Sequence, residues 1–207
     1  MRLHPLFPSV ILLLFFAIIA GDTSFFHHQK RLISVPAGSL QNGDLVFRRG
    51  RSAESYVVLL TGHKSAYSHV GIITLEGSTA WVIHAVPGEN GKGPDYVRRE
   101  TVADFLTPEK ASRFAVYRAD FPPETRNRAA ERAYAFFREH RLFDDRYDLK
   151  SDDKLYCTEL VLKAFRQAEA SLPDVGMTEL DLIFGKITVM IPGNLIENTH
   201  FQLVTHF

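Results

Sequence analysis

The sequence predicts a single α+β domain in which helices pack around an antiparallel sheet. Two runs rich in β-branched residues, 68–75 and 80–86, flank the turn-forming residues 76–79 and predict a β-hairpin. In the second half of the chain, apolar residues at helical spacing predict two amphipathic helices. The 207 residues, 45% of them hydrophobic, suffice for one core without disulfides or a structural metal.

The other elements follow from local patterns along the chain. In order, they are a turn at 42–44 followed by a strand at 45–47, a short helix at 52–62, a strand and the start of a helix within 97–106, a strand within 112–120, a helix within 122–140, a second helix that begins near residue 157, and two short strands around a Pro192-Gly193 turn.

The charge composition excludes one class of partner. Lys and Arg together number 24, and so do Asp and Glu. Proteins that bind nucleic acid through surface charge carry a basic excess, which this chain lacks. No nucleic-acid partner is therefore expected.

The N-terminus has the pattern of an export signal. Arg2 precedes an apolar run from Val10 to Ala20, which is shorter than the roughly 20 residues that a membrane-spanning helix needs. We therefore predict a signal peptide over residues 1–20, with an uncleaved signal anchor as the alternative. A lead-in segment at 21–38 and one domain at 39–207 follow. The domain is expected outside the cytoplasm, with membrane association possible through the N-terminus.

Cys157 is the only cysteine and cannot form a disulfide within the chain. It is therefore a buried apolar residue, a link between molecules, or a reactive group. Residues 151–153 are all good N-caps, which would place Cys157 in the first turn of its helix or shortly after it. The helix dipole there is expected to lower the pKa of the thiol from about 8.5 towards neutrality. Alternatively, Cys157 lies on a buried face with Val161 and Ala164.

His69 and His84 each lie within an apolar strand of the predicted hairpin, where an imidazole loses hydration. In an antiparallel hairpin, the sequence numbers of any two residues that face each other have the same sum. If this sum is 153, His69 and His84 face each other directly, and if it is 155, they lie diagonally on one face. A sum of 154 separates them onto opposite faces. Two of these three registers favour a functional pair, in which one imidazole is the general base and the other orients it.

A metal site is the competing use of two histidines. It requires a third ligand, and the sequence contains no H-E-x-x-H motif or cluster of carboxylates that would supply one. We therefore expect neither a metal nor another cofactor.

Five segments carry a resemblance to a known family: "NGDLVFRRG", "AYSHVGIIT", "VIHAVPG", "RYDLKSDDKLYCTELV" and "MIPGNLIEN". Together they resemble the permuted papain-like cysteine hydrolases, the YiiX/YaeF-type relatives of the NlpC cell-wall peptidases. Lecithin:retinol acyltransferase belongs to the same wider superfamily. The histidines precede the cysteine here, as in the permuted branch. The resemblance implies a circularly permuted papain-like (NlpC-like) fold, with an antiparallel sheet or small barrel packed with helices.

The resemblance also implies roles for individual residues. Cys157 matches the nucleophile, His69 the base, and His84 the third polar residue of the triad. Tyr156 resembles a residue that borders the oxyanion site, with packing as its alternative role. Asp44 matches the Gly-Asp opening of a strand, which is a structural role.

The implied function is an exported thiol hydrolase of the amidase or peptidase type, which acts through an acyl-enzyme. The expected substrates are cell-wall peptide amides, N-acyl groups or lipid esters, and the helix at 52–62 either lines an acyl pocket or belongs to the core. Two alternatives remain open. One is a lipid acyltransferase or phospholipase-like enzyme with the same site, and the other is a non-catalytic ligand-binding module on this fold.

Overall fold

The predicted hairpin lies at the centre of an antiparallel sheet in the computed structural model of the chain. The structure describes residues 38–52, 65–87, 95–151, 153–170, 175–182, 185–197 and 200–206, together with Val35, Ser55, Val58, Leu59 and Leu172. The predicted signal peptide at 1–20 and nearly all of the lead-in segment at 21–38 lie outside these residues. Within them, no helix has the length and apolar character needed to cross a membrane.

The described part of the chain forms ten strands and four helices. The strands are β1 (Leu45–Gly50), β2 (His69–Glu76), β3 (Thr79–Ala85), β4 (Val97–Thr101), β5 (Ala111–Ala119), β6 (Leu142–Phe143), β7 (Lys154–Leu155), β8 (Thr178–Leu182), β9 (Gly185–Val189) and β10 (Phe201–His206). The helices are α1 (Val102–Phe105), α2 (Pro123–Arg138), α3 (Cys157–Gln167) and α4 (Pro192–Ile196).

Six of these strands form one sheet in the order β10-β5-β1-β2-β3-β4, in which every neighbouring pair is antiparallel. The predicted α+β class is therefore confirmed, in the form of an open sheet with β10 and β4 at its edges. The pairs β6–β7 and β8–β9 are separate from this sheet.

Both faces of the central strands are buried. Along β1, Leu45 and Phe47 belong to one apolar cluster and Val46 belongs to another, as the alternation of side chains in a strand requires. The first cluster contains the buried residues of α2 and α3, and the second contains Phe105 of α1. The sheet is thus a middle layer, and α3 packs against α2 and against β2.

The turn between β2 and β3 selects one of the three predicted registers. Ile72 pairs with Ile83, so paired numbers sum to 155 and His69 lies diagonal to His84. The two-residue loop consists of Gly77 and Ser78, and Gly77 has a φ of +57°, a conformation that favours glycine and suits such loops. In this register Gly71 faces His84.

Asp44 has the structural role that the sequence suggested. It is fully buried, and its two carboxylate oxygens each lie 2.8 Å from a guanidinium nitrogen of Arg118 on β5. Oδ2 also accepts the backbone N–H of Gln41 at 2.8 Å. The carboxylate therefore ties the start of β1 to the neighbouring strand.

The prediction of a turn at Pro192-Gly193 is wrong, because these residues open α4. Proline is favoured in the first turn of a helix, where its missing N–H is not needed. Oδ1 of Asn194 accepts the backbone N–H of Ile191 at 2.9 Å and closes the start of that helix. The strand β8 was not predicted. Of the helix predicted at 52–62, Ser55, Val58 and Leu59 are helical and most of the remainder lies outside the described residues.

Candidate active site

Cys157 is the first residue of α3, and Tyr156 is its N-cap. The prediction that residues 151–153 cap this helix is wrong, because Lys154 and Leu155 form the short strand β7 before it starts. Instead, Oε2 of Glu159 accepts the backbone N–H of Tyr156 at 3.2 Å. Cys157 therefore lies closer to the positive end of the helix than any of the predicted caps would place it.

The start of α3 is also fixed from the other side, by Met190. The hydroxyl of Thr158 donates to the carbonyl oxygen of Met190 at 2.6 Å, and the backbone N–H of Met190 lies 3.4 Å from the hydroxyl oxygen of Tyr156. Tyr156 is buried, and this burial raises its pKa. Its hydroxyl thus holds the chain after β9, which is the packing role, while its predicted place beside an oxyanion stays a prediction.

His69, His84 and Glu100 form a line across three neighbouring strands. Nε2 of His69 lies 2.8 Å from Nδ1 of His84, and Nε2 of His84 lies 2.8 Å from Oε1 of Glu100. The second oxygen of Glu100 accepts from the ammonium group of Lys110. Each step is diagonal, because His84 pairs with Arg98 on β4 and Glu100 lies two residues further along. The register thus places all three side chains on one face.

The charge of Glu100 determines the protons of both imidazoles. Burial opposes its ionisation, but hydrogen bonds from His84 and Lys110 lower the pKa of Glu100 to about 2. An ionised carboxylate only accepts, so Nε2 of His84 must donate to it. Nδ1 of a neutral His84 then accepts from Nε2–H of His69. This leaves Nδ1 of a neutral His69 with a free lone pair, as a general base requires.

Burial keeps both imidazoles neutral. It lowers the pKa of His69 well below 6.5, and the positive charge of Arg48 lowers it further. The pKa of His84 is also lowered by burial, although the carboxylate of Glu100 opposes that change. Arg48 pairs with His69 across β1 and β2, and its guanidinium lies 4.3 Å from the centre of the Phe105 ring.

The prediction of a lowered pKa for the thiol of Cys157 is wrong, because the fold raises this pKa. Burial raises the pKa of Cys157 to about 11, although the backbone N–H groups of Val70 and Thr158 and its own N–H favour the thiolate. The helix start therefore acts in the predicted direction, but loss of hydration outweighs it. Because the pKa of the thiol is raised and that of His69 is lowered, loss of the thiol proton calls for a base beside the sulfur.

Two cavities meet at this cysteine. The larger one, of about 360 Å³, has Cys157, His69 and Arg48 in its wall. The smaller one, of about 180 Å³, also reaches Cys157 and is bounded by β9 and the start of α4. Cys157 and His69 are thus brought to one cavity, and His84 lies behind His69 as its hydrogen-bond partner. Among the described residues, no group of three or more His, Cys, Asp and Glu side chains could hold a metal ion.

Glu100 and Arg48 are the site residues that the sequence analysis missed. Glu100 lies in a strand whose pairing depends on the connection through residues 88–94, so its alignment with His84 has no local signal. Arg48 follows the apolar residues of β1 directly, and a charged residue inside a strand that is buried on both faces was the available signal.

Comparisons with known proteins identify the family of this chain. The model of a family described as "Permuted papain-like amidase enzyme, YaeF/YiiX, C92 family" matches residues 39–205. A protein of Escherichia coli (strain K12) described as "Uncharacterized protein YiiX" is 28% identical over 144 residues, which cover 66% of this chain and 64% of that protein. The alignment thus spans less than two thirds of the relative's own length.

A solved structure shares the fold. It is described as "Crystal structure of metalloprotein yiiX from Escherichia coli O157:H7, DUF1105" and superposes with a TM-score of 0.66 at 21% sequence identity. The match covers 82% of this chain and 98% of the solved chain. At this identity, the likeness establishes the permuted papain-like fold alone.

Proposed function

Because this chain belongs to the YaeF/YiiX, C92 family of permuted papain-like amidases, we propose that it is a thiol hydrolase acting through an acyl-enzyme on Cys157. The observation that carries the proposal is the common cavity of Cys157 and His69, with His69 held in its basic tautomer by His84 and Glu100. A nucleophile, a base and an orienting group are the three parts that such chemistry needs.

The steps follow from the protonation states of the resting site. As the sulfur of Cys157 attacks the substrate carbonyl, Nδ1 of His69 accepts the thiol proton. Backbone N–H groups at the start of α3 stabilise the resulting oxyanion. His69 then donates that proton to the leaving group, which departs and leaves a thioester on Cys157. Water, deprotonated by His69, attacks the thioester and releases the acid.

Apart from substrate and water, these steps use only side chains and backbone groups of this chain. The word "metalloprotein" belongs to the solved relative and describes that protein. In this chain, an ion at His84 would have to replace the contacts of its two nitrogens with His69 and Glu100, each at 2.8 Å.

The experiment that tests the proposal is acylation of the full-length protein by p-nitrophenyl acetate, followed by mass spectrometry. One acetyl group is expected on Cys157, and none is expected on a Cys157→Ser variant. A His69→Ala variant should acylate at least about a hundredfold more slowly near pH 7, because the thiol then has no base. His206→Ala, which changes an exposed residue at the end of β10, is the control and should behave as the unaltered protein.

Three outcomes would contradict this function. Equal acylation rates in the His69→Ala variant and the unaltered protein would exclude His69 as the base. A Cys157 that no active ester acylates would favour a ligand-binding module on the same fold. Capture of the acyl group by an added amine, in preference to water, would identify a transferase instead of a hydrolase.

The proposed substrates are amides of cell-wall peptides, N-acyl groups or lipid esters, and the proposed location is outside the cytoplasm. The pattern of residues 1–20 supports export. Alkaline phosphatase, which is active only after export, is expected to be active when fused after residue 38. Deletion of residues 10–20 should abolish that activity, and a fusion that stays active without them would contradict an export signal.

A further inference from the structure

A third cavity lies between α2 and the sheet, away from Cys157. Its volume is about 380 Å³, within the range of roughly 300–1,000 Å³ that small-molecule sites have. The described residues in its wall line neither of the cavities at Cys157. His69 begins β2, whereas Thr74 and Glu76 lie about 17–23 Å further along that strand, at about 3.3 Å per residue. The cavity is therefore separate from the candidate active site.

The sheet side of this cavity contains buried polar atoms that have no hydrogen-bond partner. They are Oγ1 of Thr74, Nε1 of Trp81 and Nε of Arg99. Thr74 faces Trp81 across β2 and β3, and Trp81 lies diagonal to Arg99 on β4, so the three side chains share the face of the sheet that α2 covers. Thr74 and Arg99 line the cavity. Because buried polar groups normally have partners, a molecule bound here is expected to supply them.

The guanidinium of Arg99 is held in place on three sides. It lies 4.0 Å from the centre of the Trp81 ring and 5.3 Å from that of the Tyr134 ring on α2. It also forms an ion pair with Glu76. The positive charge of Arg99 is thus already balanced, and a neutral acceptor such as a carbonyl oxygen suits its Nε better than a second carboxylate does.

The other charge in the wall belongs to Glu131 on α2. This carboxylate is exposed and forms no ion pair within the described part of the chain. Together, one guanidinium and two carboxylates line the cavity, so its wall repels an anion and attracts a cation. The ligand is therefore expected to carry a positive group for Glu131 and a neutral acceptor for the sheet side.

We propose that this cavity binds the amino-terminal end of a peptide. Its ammonium group pairs with Glu131, and its first carbonyl oxygens accept hydrogen bonds from Nε of Arg99 and the hydroxyl of Thr74. The site uses neither Cys157 nor His69, so it does not depend on the proposed function.

The fluorescence of Trp81 tests this site directly, because Trp81 is the only tryptophan of the chain and contacts Arg99. The full-length protein is titrated with alanyl-alaninamide, which carries the ammonium group, and with N-acetyl-alanyl-alaninamide, which lacks it. The amine is expected to bind about threefold to fivefold more tightly, which is what one exposed ion pair contributes. Glu131→Gln should remove this difference. Glu124→Gln, an exposed residue of the same helix outside the cavity wall, should keep it.

A Thr74→Val variant separates binding from folding, since valine has nearly the same shape as threonine. It removes a hydroxyl that has no partner in the free protein, so the midpoint of urea unfolding should stay equal or rise. Its affinity for alanyl-alaninamide should fall about fivefold, because a hydrogen bond to the ligand is lost.

Four results would overturn the site. The first is a fluorescence that neither peptide changes in a saturable way, and the second is equal affinity for the amine and its N-acetyl form. The third is tighter binding of inorganic phosphate than of the amine, which would indicate an anion site. The fourth is a Thr74→Val variant with a lowered unfolding midpoint and unchanged affinity, because the hydroxyl would then serve the fold.

Discussion

The line of side chains that begins at His69 and passes through His84 ends at the carboxylate of Glu100. The charge of this carboxylate determines which nitrogen of each imidazole carries a proton. The line crosses three strands through contacts of 2.8 Å between His69 and His84 and of 2.8 Å between His84 and Glu100. Removing the charge while keeping the shape isolates this role, because the amide of a glutamine can either donate or accept. The tautomer of His84 is then no longer fixed.

We predict that Glu100→Gln lowers kcat/KM by about tenfold or more, since partners that orient a catalytic side chain typically contribute that much. The pKa of His84 should also fall, because the carboxylate of Glu100 opposes its lowering by burial. Kinetics and an NMR titration of His84 measure the two effects. Glu76→Gln, which affects an exposed ion pair with Arg99, is the control. Equal losses in the two variants would remove Glu100 from the site.

Glu159 is a fully buried carboxyl two residues beyond Cys157. Burial raises the pKa of Glu159 from 4.5 to about 7, although the ion pair with Lys163, at 3.0 Å, opposes this shift. Between these two values, the unfolded chain has lost the proton and the folded protein still holds it. The contribution of Glu159 to stability is therefore fully present below about pH 4.5 and is lost as the pH rises through 7.

We predict that Glu159→Gln removes this decline. The free energy of unfolding of the variant, relative to the unaltered protein, should rise by about 2 kcal/mol between pH 5 and pH 8. Urea unfolding at the two pH values measures it, and the comparison cancels every other group that titrates. A difference that does not change with pH would mean that Glu159 is ionised throughout.

The hairpin of β2 and β3 places the histidines, and Gly71 gives His84 the room it needs. A methyl group at Gly71 would lie 3.0 Å from Cβ of His84 and 2.9 Å from the carbonyl oxygen of Ile83, and closer still to Val82. The backbone of Ile83 and the side chain of Val82 cannot both move away from an added methyl group. Any residue larger than glycine at position 71 therefore forces β2 and β3 apart.

We predict that Gly71→Ala lowers the free energy of unfolding by about 1–3 kcal/mol, the usual range for overpacking. It should also weaken the contact between His69 and His84, which NMR of the imidazole protons would detect. Gly176→Ala is the matched control, because its nearest neighbour, Nδ2 of Asn194, would lie at an ordinary 3.7 Å. A Gly71→Ala variant as stable as this control would contradict the crowding at His84.

Sequence patterns predicted the elements better than the relations between them. The hairpin, α2 and α3 follow from periodicity, which is a property of neighbouring residues. The pairing of β2 with β3 depends on whether the two-residue loop begins at Glu76 or at Gly77. It begins at Gly77, so the numbers of paired residues sum to 155 instead of 153. Pro192 was assigned to a turn because the same fixed φ suits a turn and the first turn of a helix.

The site residues divide in the same way. Cys157, His69 and His84 carry local signals, namely a single thiol and two imidazoles within apolar strands. Glu100 has none, because only the pairing of β3 with β4 brings it to His84. The pKa of Cys157 was assigned in the wrong direction for a related reason: the helix start is visible in the sequence, whereas the burial that outweighs it comes from the whole fold.

At the scale of the whole molecule, an ion pair between a buried carboxylate and a partly exposed guanidinium joins the neighbouring strands β1 and β5. Asp44 at the start of β1 is fully buried and binds Arg118 of β5 through both carboxylate oxygens, across 74 positions of sequence. The second nitrogen of that guanidinium also donates to the carbonyl oxygen of Ser39 at 2.8 Å. The pair thereby connects the first described segment to a strand from the middle of the chain.

We predict that Asp44→Asn lowers the free energy of unfolding by about 2 kcal/mol, because it removes the buried carboxylate that accepts two charge-assisted hydrogen bonds from the partly exposed Arg118. Glu179→Gln is the control, since its ion pair with Lys186 is exposed and should contribute less than about 1 kcal/mol. Urea unfolding of the two variants gives the comparison. Similar small losses in both would mean that water screens the Asp44 pair as well.

The proposed base, His69, precedes one exposed loop in the sequence, and the proposed nucleophile, Cys157, follows it. His69, His84 and Glu100 are held by strands that are neighbours in sequence, whereas Cys157 comes after the exposed residues Asp145 and Arg146. A break of the backbone at this loop would yield two polypeptides, one with the complete base and one with the thiol, and neither would be able to turn over a substrate alone. Recovered catalysis on mixing would then report fragment complementation, which makes this order of residues a natural basis for a split reporter.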